Sequence, residues 1–402
     1  RSTMGIHKWE QKYHAAIRNV KKAAISPENK AFILEFAEEL MIEGISKPRI
    51  VKYLSSLKII ASCLGKSFDN VTKEDLKGFV ARLHQDGRLS AWTRHDYKIV
   101  LKRFYKWVEG TADYPEKVAW IKSRISQAEQ KLPAEGDLLS EKEVLQVLSV
   151  AEHPRDKAFL SVLWESGARI SEIGNLKMKN VAFDHHGTLI TVHGKTGSRK
   201  IRIIASTPYL ANWLNMHSLR QDPESPLWIN IGTTNHNKPM EYNGIRNLIH
   251  RSFEKAGIVK RVHPHLFRHS RATFMARHLT EFQMNQYFGW VQGSGMPATY
   301  VHMSGRDVDS AILAMNGIVS DEKKEKIVTL QKCPRCEFVN GFDSKHCSRC
   351  GGILDVQFAL ELDEKQRQQK EMRDNADALM NVLMKDEEVQ EVLKRKLMGM
   401  GV

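Results

Sequence analysis

Apolar residues recur at three- and four-residue steps early in the chain, as at Phe32, Ile33, Phe36 and Leu40. This period predicts helices with one buried face. Local punctuation sets their limits. Ser26-Pro27-Glu28 offers a cap, a first-turn proline and a first-turn acid, and Gly44 closes that helix. A second helix runs over 48–64 ahead of Gly65. Thr72, with Asp75 three residues on, forms a capping pair for a third that reaches Gly87. Ser90 opens a fourth that ends at Gly110. Four short helices with small loops predict a bundle over 1–130.

Residues 131–139, with Pro133 and Gly136, read as a linker. Ser140 with Glu143 is a capping box and opens a second domain over 140–320. Its helices are expected at 140–152, 155–166, 170–177, 241–256, 264–278 and 281–288. The alternating runs 188–193 and 200–204 predict two strands around Gly194-Lys195-Thr196-Gly197. A cysteine module at 333–354 and a polar tail at 356–402 follow. Leu379, Val382, Leu383, Val389, Val392 and Leu393 mark one or two amphipathic helices in the tail, suited to self-association or to packing on the same chain. The fold class is therefore mostly α, with one small β-hairpin sheet.

Composition narrows the class. The chain has 402 residues, 42% hydrophobic and 27% charged, which suits two or three globular domains and excludes wholesale disorder. No apolar run reaches the length of a membrane helix, and Arg1-Ser2-Thr3-Met4 leads into no signal-like segment, so an intracellular protein is expected. Net charge is +14, and it is concentrated: +9 over residues 1–130 and +6 over 131–320. That field suits a polyanion such as nucleic acid. Lys98, Lys102, Arg103 and Lys106 lie at helical spacing and are candidate phosphate contacts.

Four of the five cysteines form Cys333-x-x-Cys336 and Cys347-x-x-Cys350. Thiols stay reduced inside cells, so this pattern points to four thiolates around one tetrahedral structural zinc rather than to disulfides. His346 beside Cys347 reads as a bystander, and Cys63 as a core residue.

Three further elements carry phosphodiester chemistry. A phosphoryl transition state gathers charge on its non-bridging oxygens, which guanidinium forks hold in two places at once. Arg169, in Ser166-Gly-Ala-Arg-Ile-Ser-Glu-Ile173, follows a glycine break and precedes a helix, with Ser171 and Glu172 able to anchor the loop. His265 and Arg268 are three apart on one helix face, with His269 and Arg271 alongside. Gly289-Trp290 offers an indole donor and an apolar wall, and Tyr300 lies in a glycine- and proline-marked segment read as a flexible turn.

In this order the motifs resemble the tyrosine recombinase (phage integrase) family, over roughly residues 20–318. Gly-Ala-Arg-Ile-Ser-Glu supplies Arg169, His-Gly-Lys-Thr-Gly supplies Lys195, His-Leu-Phe-Arg supplies His265 and Arg268, Gly-Trp supplies Trp290 and Ala-Thr-Tyr-Val-His supplies Tyr300. Phe267 and Trp290 stand where leucine and histidine are commoner. Arg199 and Lys200 share the hairpin with Lys195, and Tyr287 is the other tyrosine near the tryptophan. The resemblance implies a core-binding domain that clamps double-stranded DNA opposite a catalytic domain. Tyr300 would be the nucleophile of a 3′-phosphotyrosyl link, Arg169 and Arg268 the phosphate clamp, His265 a proton acceptor and Lys195 the acid for the leaving 5′-oxygen. No catalytic metal and no ATP are implied. The expected partners are specific DNA sites and further copies of the chain, as dimers on each site and a tetramer in the synapse, with residues 303–318 docking on a neighbour. The expected activity is integration or excision of mobile DNA in the cytoplasm, and the appended zinc ribbon implies an archaeal source. A type IB topoisomerase-like nicking-closing enzyme and a non-catalytic zinc-ribbon DNA-binding protein are the competing readings.

Overall fold

The computed structural model describes residues 5–126, 135–303 except 185 and 234, 331–354 except 334, 342 and 343, and a C-terminal helix, with scattered residues between 312 and 385. The early helices lie where their caps put them: α1 Trp9–Lys21, α2 Pro27–Ile42, α3 Lys47–Leu64, α4 Lys73–Gln85, α5 Ala91–Val108 and the short α6 Glu116–Ala119. Ser26 accepts the Asn29 N–H, and Thr72 and Asp75 complete their capping box. Gly44 and Gly65 take the left-handed conformation that ends a helix. Ile33, Phe36 and Leu40 are buried as their spacing predicts, in a core with Leu57, Phe68, Phe104 and Tyr105. The bundle holds one long helix more than expected: α1 adds Tyr13, Ala16 and Val20 to this core.

The second core is built from α7 Glu141–Val150, α8 Pro154–Ser166, α9 Ile170–Gly174, a sheet, α10 Thr207–Met216, α11 Tyr242–Lys255, α12 Pro264–Ala276, α13 Glu281–Phe288 and α14 Met296–Met303. The sheet is three-stranded and antiparallel, with β1 Val181–Asp184 added beside the expected hairpin of β2 Gly187–Gly194 and β3 Gly197–Ile203. Gly194 pairs with Gly197, so Lys195 and Thr196 form a two-residue turn. Ile190, Val192, Ile201 and Ile203 face the core. Ile6 also belongs to this second core: its N–H donates to Asn175 Oδ1 at 3.0 Å and its carbonyl accepts from Tyr242 at 3.0 Å. A division at residue 130 therefore leaves the N-terminal residues around Ile6 in contact with the far side.

Two segments differ from expectation for physical reasons. The Tyr300 segment is helical, because Pro297 sits in the first turn of α14, where its missing N–H costs nothing. Helix α10 carries Pro208 in its first turn but no side-chain cap, and the turn before it is pinned from afar. The Glu165 carboxylate accepts the N–H groups of Ile204 at 2.6 Å, Ala205 at 3.0 Å and Ser206 at 2.7 Å.

The cysteine module carries β4 Gln331–Lys332 and β5 Val339–Asn340. It lies against the second domain, where a Cβ on Gly341 would come within 2.6 Å of Tyr209 Oη. In the tail, α15 Glu387–Gly399 is described, and Leu379, Val382 and Val392 are exposed. Much of the rest of the expected tail, the linker residues 131–134 and most of 303–318 lie outside the described residues. Among the described residues no helix is long and apolar enough to cross a membrane.

Candidate active site

Arg169 is the N-cap of α9, and three residues on Glu172 turns back to accept its backbone N–H at 2.9 Å and its Nη1 at 3.0 Å. Glu172 is 2% exposed. A carboxylate there needs cations, and a second arrives from the sheet: Arg199 binds it through Nη1 at 2.9 Å and Nη2 at 2.8 Å. Burial pushes the Glu172 pKa up, but the Arg199 hydrogen bonds and the charges of Arg199 and Arg169 outweigh it and hold the group below the usual carboxylate range. The bidentate pair demands glycine at Gly194, where a Cβ would sit 2.3 Å from Glu172 Oε1.

Arg199 also donates from Nε to the Tyr287 carbonyl at 2.8 Å, and Thr196 Oγ1 donates to the Gly289 carbonyl at 3.1 Å. These bonds dock the hairpin on the turn before Trp290. That turn requires Gly289: its φ is +62°, and a Cβ would lie 2.8 Å from Arg199 Nη1. Lys195, at the exposed hairpin tip, is thereby held beside the Trp290 turn.

Arg268 is 3% exposed and is fixed by two carbonyls, Gly167 at 3.1 Å and Phe288 at 2.8 Å. Burial and the neighbouring Arg169 bring its pKa down to about 10, so it stays charged at neutral pH. Its guanidinium lies over the Phe288 and Trp290 rings, at 5.2 and 5.3 Å. Trp290 then stacks on Tyr300, with centroids 5.4 Å apart and planes 4° from parallel.

Tyr300 is 2% exposed, and its hydroxyl is 2.7 Å from His269 Nδ1. Burial raises its pKa, while Arg268 pulls it back. The expected acceptor, His265, is exposed, and its ring lies 5.1 Å from that of His269, tilted by 58°; burial of its ring atoms, then Arg268, His263 and Arg169, lower its pKa. Tyr287 is otherwise engaged. Its hydroxyl donates to the Glu165 carbonyl at 3.0 Å, and burial pushes its pKa up to about 12.

The six residues singled out from sequence thus fall into one connected group of five, with Lys195 on the adjoining hairpin tip. Sequence reasoning gave no role to His269, and treated Arg199 only as a competitor of Lys195. The bundle's candidate phosphate contacts are partly committed elsewhere: Arg103 pairs with Glu43, and Lys102 lies over the Tyr114 ring at 4.2 Å.

The four cysteines of the module form the one metal-ligand group among the described residues, all Sγ atoms within 4.8 Å of one another. Cys333 and Cys350 are 3.6 Å apart, and Cys336 and Cys347 3.5 Å. Tetrahedral Zn–S bonds of about 2.3 Å require S···S distances of about 3.8 Å, so the residues fit zinc. The two knuckles repeat one turn. Glu337 and Gly351, each following the second cysteine of a pair, both have positive φ and both donate N–H to the carbonyl of the first, at 2.9 Å. Cys63 is exposed, not the core residue its apolar surroundings suggested.

Two family models match the chain, one in each domain. Residues 137–306 match the Phage integrase family, and residues 33–110 match the Phage integrase N-terminal SAM-like domain. Tyrosine recombinase XerC of Bacillus licheniformis is 27% identical over 293 residues, covering 68% of this chain and 92% of that protein. Tyrosine recombinase XerA of Pyrococcus horikoshii is 29% identical over 253 residues, 61% of this chain and 80% of that one. The fold is similar to XerH recombinase bound to palindromic difH substrate, with TM-score 0.56, 17% identity, and 77% of this chain and 95% of that chain covered. It is also similar to a lambda integrase tetramer bound to a Holliday junction, with TM-score 0.53, 14% identity, and 69% and 78% covered.

Proposed function

The chain belongs to the phage integrase family of site-specific tyrosine recombinases, and we propose that Arg169, Lys195, His265, Arg268, Trp290 and Tyr300 carry its strand transfer. Tyr300 Oη attacks the scissile phosphate and forms a 3′-phosphotyrosyl link as the bond to the 5′-oxygen breaks. Arg169 and Arg268 hold the non-bridging oxygens, and Trp290 packs between the clamp and the nucleophile. His265, exposed beside the clamp, is the motif's candidate proton acceptor, and Lys195 protonates the departing 5′-oxygen. The link conserves the phosphodiester, so a second 5′-hydroxyl reseals it without ATP or a catalytic metal. The observation that carries this reading is the continuous stack from Arg268 through Trp290 to Tyr300.

The substrate is double-stranded DNA at specific sites, bound between the basic bundle and the catalytic domain, with a dimer on each site and a tetramer in the synapse. The XerH–difH complex and the lambda integrase tetramer on a Holliday junction support this assembly. The reaction integrates or excises mobile DNA in the cytoplasm. Cys333, Cys336, Cys347 and Cys350 hold one structural zinc; when bound it supplies cross-linking and no chemistry. An archaeal source is what the appended ribbon implies, and the chain's relatives include both a bacterial and an archaeal protein.

The test begins by sequencing ends joined in a cell that expresses the protein, which yields the site. A nicked suicide duplex carrying that site then traps a covalent protein–DNA adduct with the wild-type chain. Tyr300→Phe is expected to form none, and Arg169→Ala or Arg268→Ala to form it about 100-fold more slowly, as when one oxyanion donor is lost. An undiminished adduct with Tyr300→Phe overturns the reading.

A further inference from the structure

The phenol in the stack has one side-chain hydrogen-bond neighbour among the described contacts, and it is not the histidine of the His-x-x-Arg motif. His269 follows Arg268 directly in α12, and its Nδ1 lies 2.7 Å from Tyr300 Oη, with the two rings 5.9 Å apart and 35° from parallel. Trp290 covers a face of the phenol. We propose that His269, with its ring hydrogen on Nε2, is the base that takes the Tyr300 proton as the phenol attacks phosphorus. The proposal rests on Tyr300 being the nucleophile.

The step balances within residues already present. The Oη–H bond breaks and its proton moves to Nδ1; the Oη–P bond forms; the P–O5′ bond breaks, and that oxygen is protonated by Lys195. Religation runs backwards: the 5′-hydroxyl attacks and gives its proton back to the neutral Lys195 amine, the P–Oη bond breaks, and the imidazolium returns its proton to the departing phenolate oxygen.

The electrostatics fit a base used only on DNA. Burial, then His265, His263 and Arg268, bring the His269 pKa down to about 4, so the imidazole is neutral at physiological pH and free to accept. An ordinary phenol near pKa 10 does not yield its proton to so weak a base. Off DNA the nucleophile therefore stays protonated and buried. Two changes favour transfer once DNA is bound. A phosphate dianion-like transition state offsets the cationic neighbours, and the growing Oη–P bond makes the phenolic proton far more acidic. The division of labour follows from position: exposed His265 meets the substrate, and half-buried His269 meets the nucleophile.

The test separates proton acceptance from mere holding. His269→Asn places a side-chain oxygen near the Nδ1 position, where it accepts the same hydrogen bond but takes no proton. On the suicide duplex, His269→Asn and His269→Ala are both expected to slow adduct formation about 100-fold or more, the usual contribution of a general base, with DNA binding unchanged. Added imidazole is expected to restore part of the His269→Ala rate and none of the Tyr300→Phe rate. An Asn variant within threefold of wild type overturns the proposal and leaves His269 a positioning residue. So does an Ala variant that is undiminished, or one that binds DNA normally yet ignores imidazole. In each of those outcomes a dead Tyr300→Phe keeps the nucleophile reading intact, whereas adduct from Tyr300→Phe removes both.

Discussion

The arginine frame and the cysteine module both gather groups that repel each other, and they manage it in opposite ways. Around Glu172 and Arg268 the fold comes first. Buried carbonyls at Gly167, Phe288 and Tyr287 and one buried carboxylate fix three guanidinium groups before any substrate arrives. In the module the ligand set comes first. Among its described residues the buried ones are Cys333, Asn340, Gly341 and Cys347, and none is a large apolar side chain. Two-residue strands, with no large apolar side chain buried among the described residues of the module, contribute little against the entropy of ordering the chain. A preorganised site is thus a product of its fold, whereas on the proposed zinc reading the module's fold is a product of its site.

Metal removal is the strongest way to break that contrast. Structural zinc in small modules is worth about 10–16 kcal/mol of apparent binding free energy, which is also folding free energy. The purified protein is expected to release one zinc per chain when its thiols are modified. Hydrogen exchange over 331–354 is then expected to rise to unprotected rates, with exchange over α8 and α12 unaltered. A chain that carries no zinc, or Cys336→Ser protein that keeps it, contradicts the four-thiolate assignment. Loss of protection in α12 as well would erase the difference between the two regions.

The frame is tested through its one buried anion. Glu172→Ala leaves Arg199 and Arg169 facing each other without a counter-charge, and breaking a buried ion pair costs about 3–5 kcal/mol. Urea unfolding of the catalytic domain is expected to register that loss, together with slower adduct formation. The pH dependence has a definite sign. The folded pKa of Glu172 is depressed, so its stabilisation is fully present above the unfolded carboxylate value near 4.5 and is lost as pH falls through the lower folded value. Wild-type stability is therefore expected to drop below about pH 4.5 more steeply than that of Glu172→Ala. Parallel curves for the two proteins would show that the anion does not hold the frame.

What the sequence could announce follows the same division between local and distant causes. Ser26, Thr72 and Ser140 act within four residues, so their helices were legible to within a turn. The motif residues were legible because their order is a pattern in itself. The partners that position them were not. Arg199 meets Glu172 across 27 residues, and only the docked hairpin brings them together. Helix α10 has no side-chain cap to mark its start, and the turn before it is held by Glu165, some 40 residues earlier. His269 stood in plain view beside Arg268, but its role depends on α14 carrying Tyr300 back over α12, and Gly295 and Pro297 had suggested a turn there.

The smallest expected effect sharpens the comparison from the other side. Ser140 Oγ accepts the Glu143 N–H at 3.3 Å, and Glu143 accepts the Ser140 N–H at 2.8 Å, which closes the capping box of α7. Helix α7 supplies Val144, Val147 and Leu148 to the same core that carries the arginine frame, yet none of the frame's described hydrogen bonds involves it. Ser140→Ala is expected to cost about 1 kcal/mol of domain stability, the usual value of a lost N-cap. Glu143 keeps its ion pair with Lys260 at 2.8 Å, which limits the loss. Single-turnover adduct formation is expected to stay within twofold of wild type, because a core that is slightly less stable still presents the same guanidinium geometry when folded. A fall in rate as large as that of Glu172→Ala would mean that the frame tracks the stability of the whole core rather than its own buried bonds.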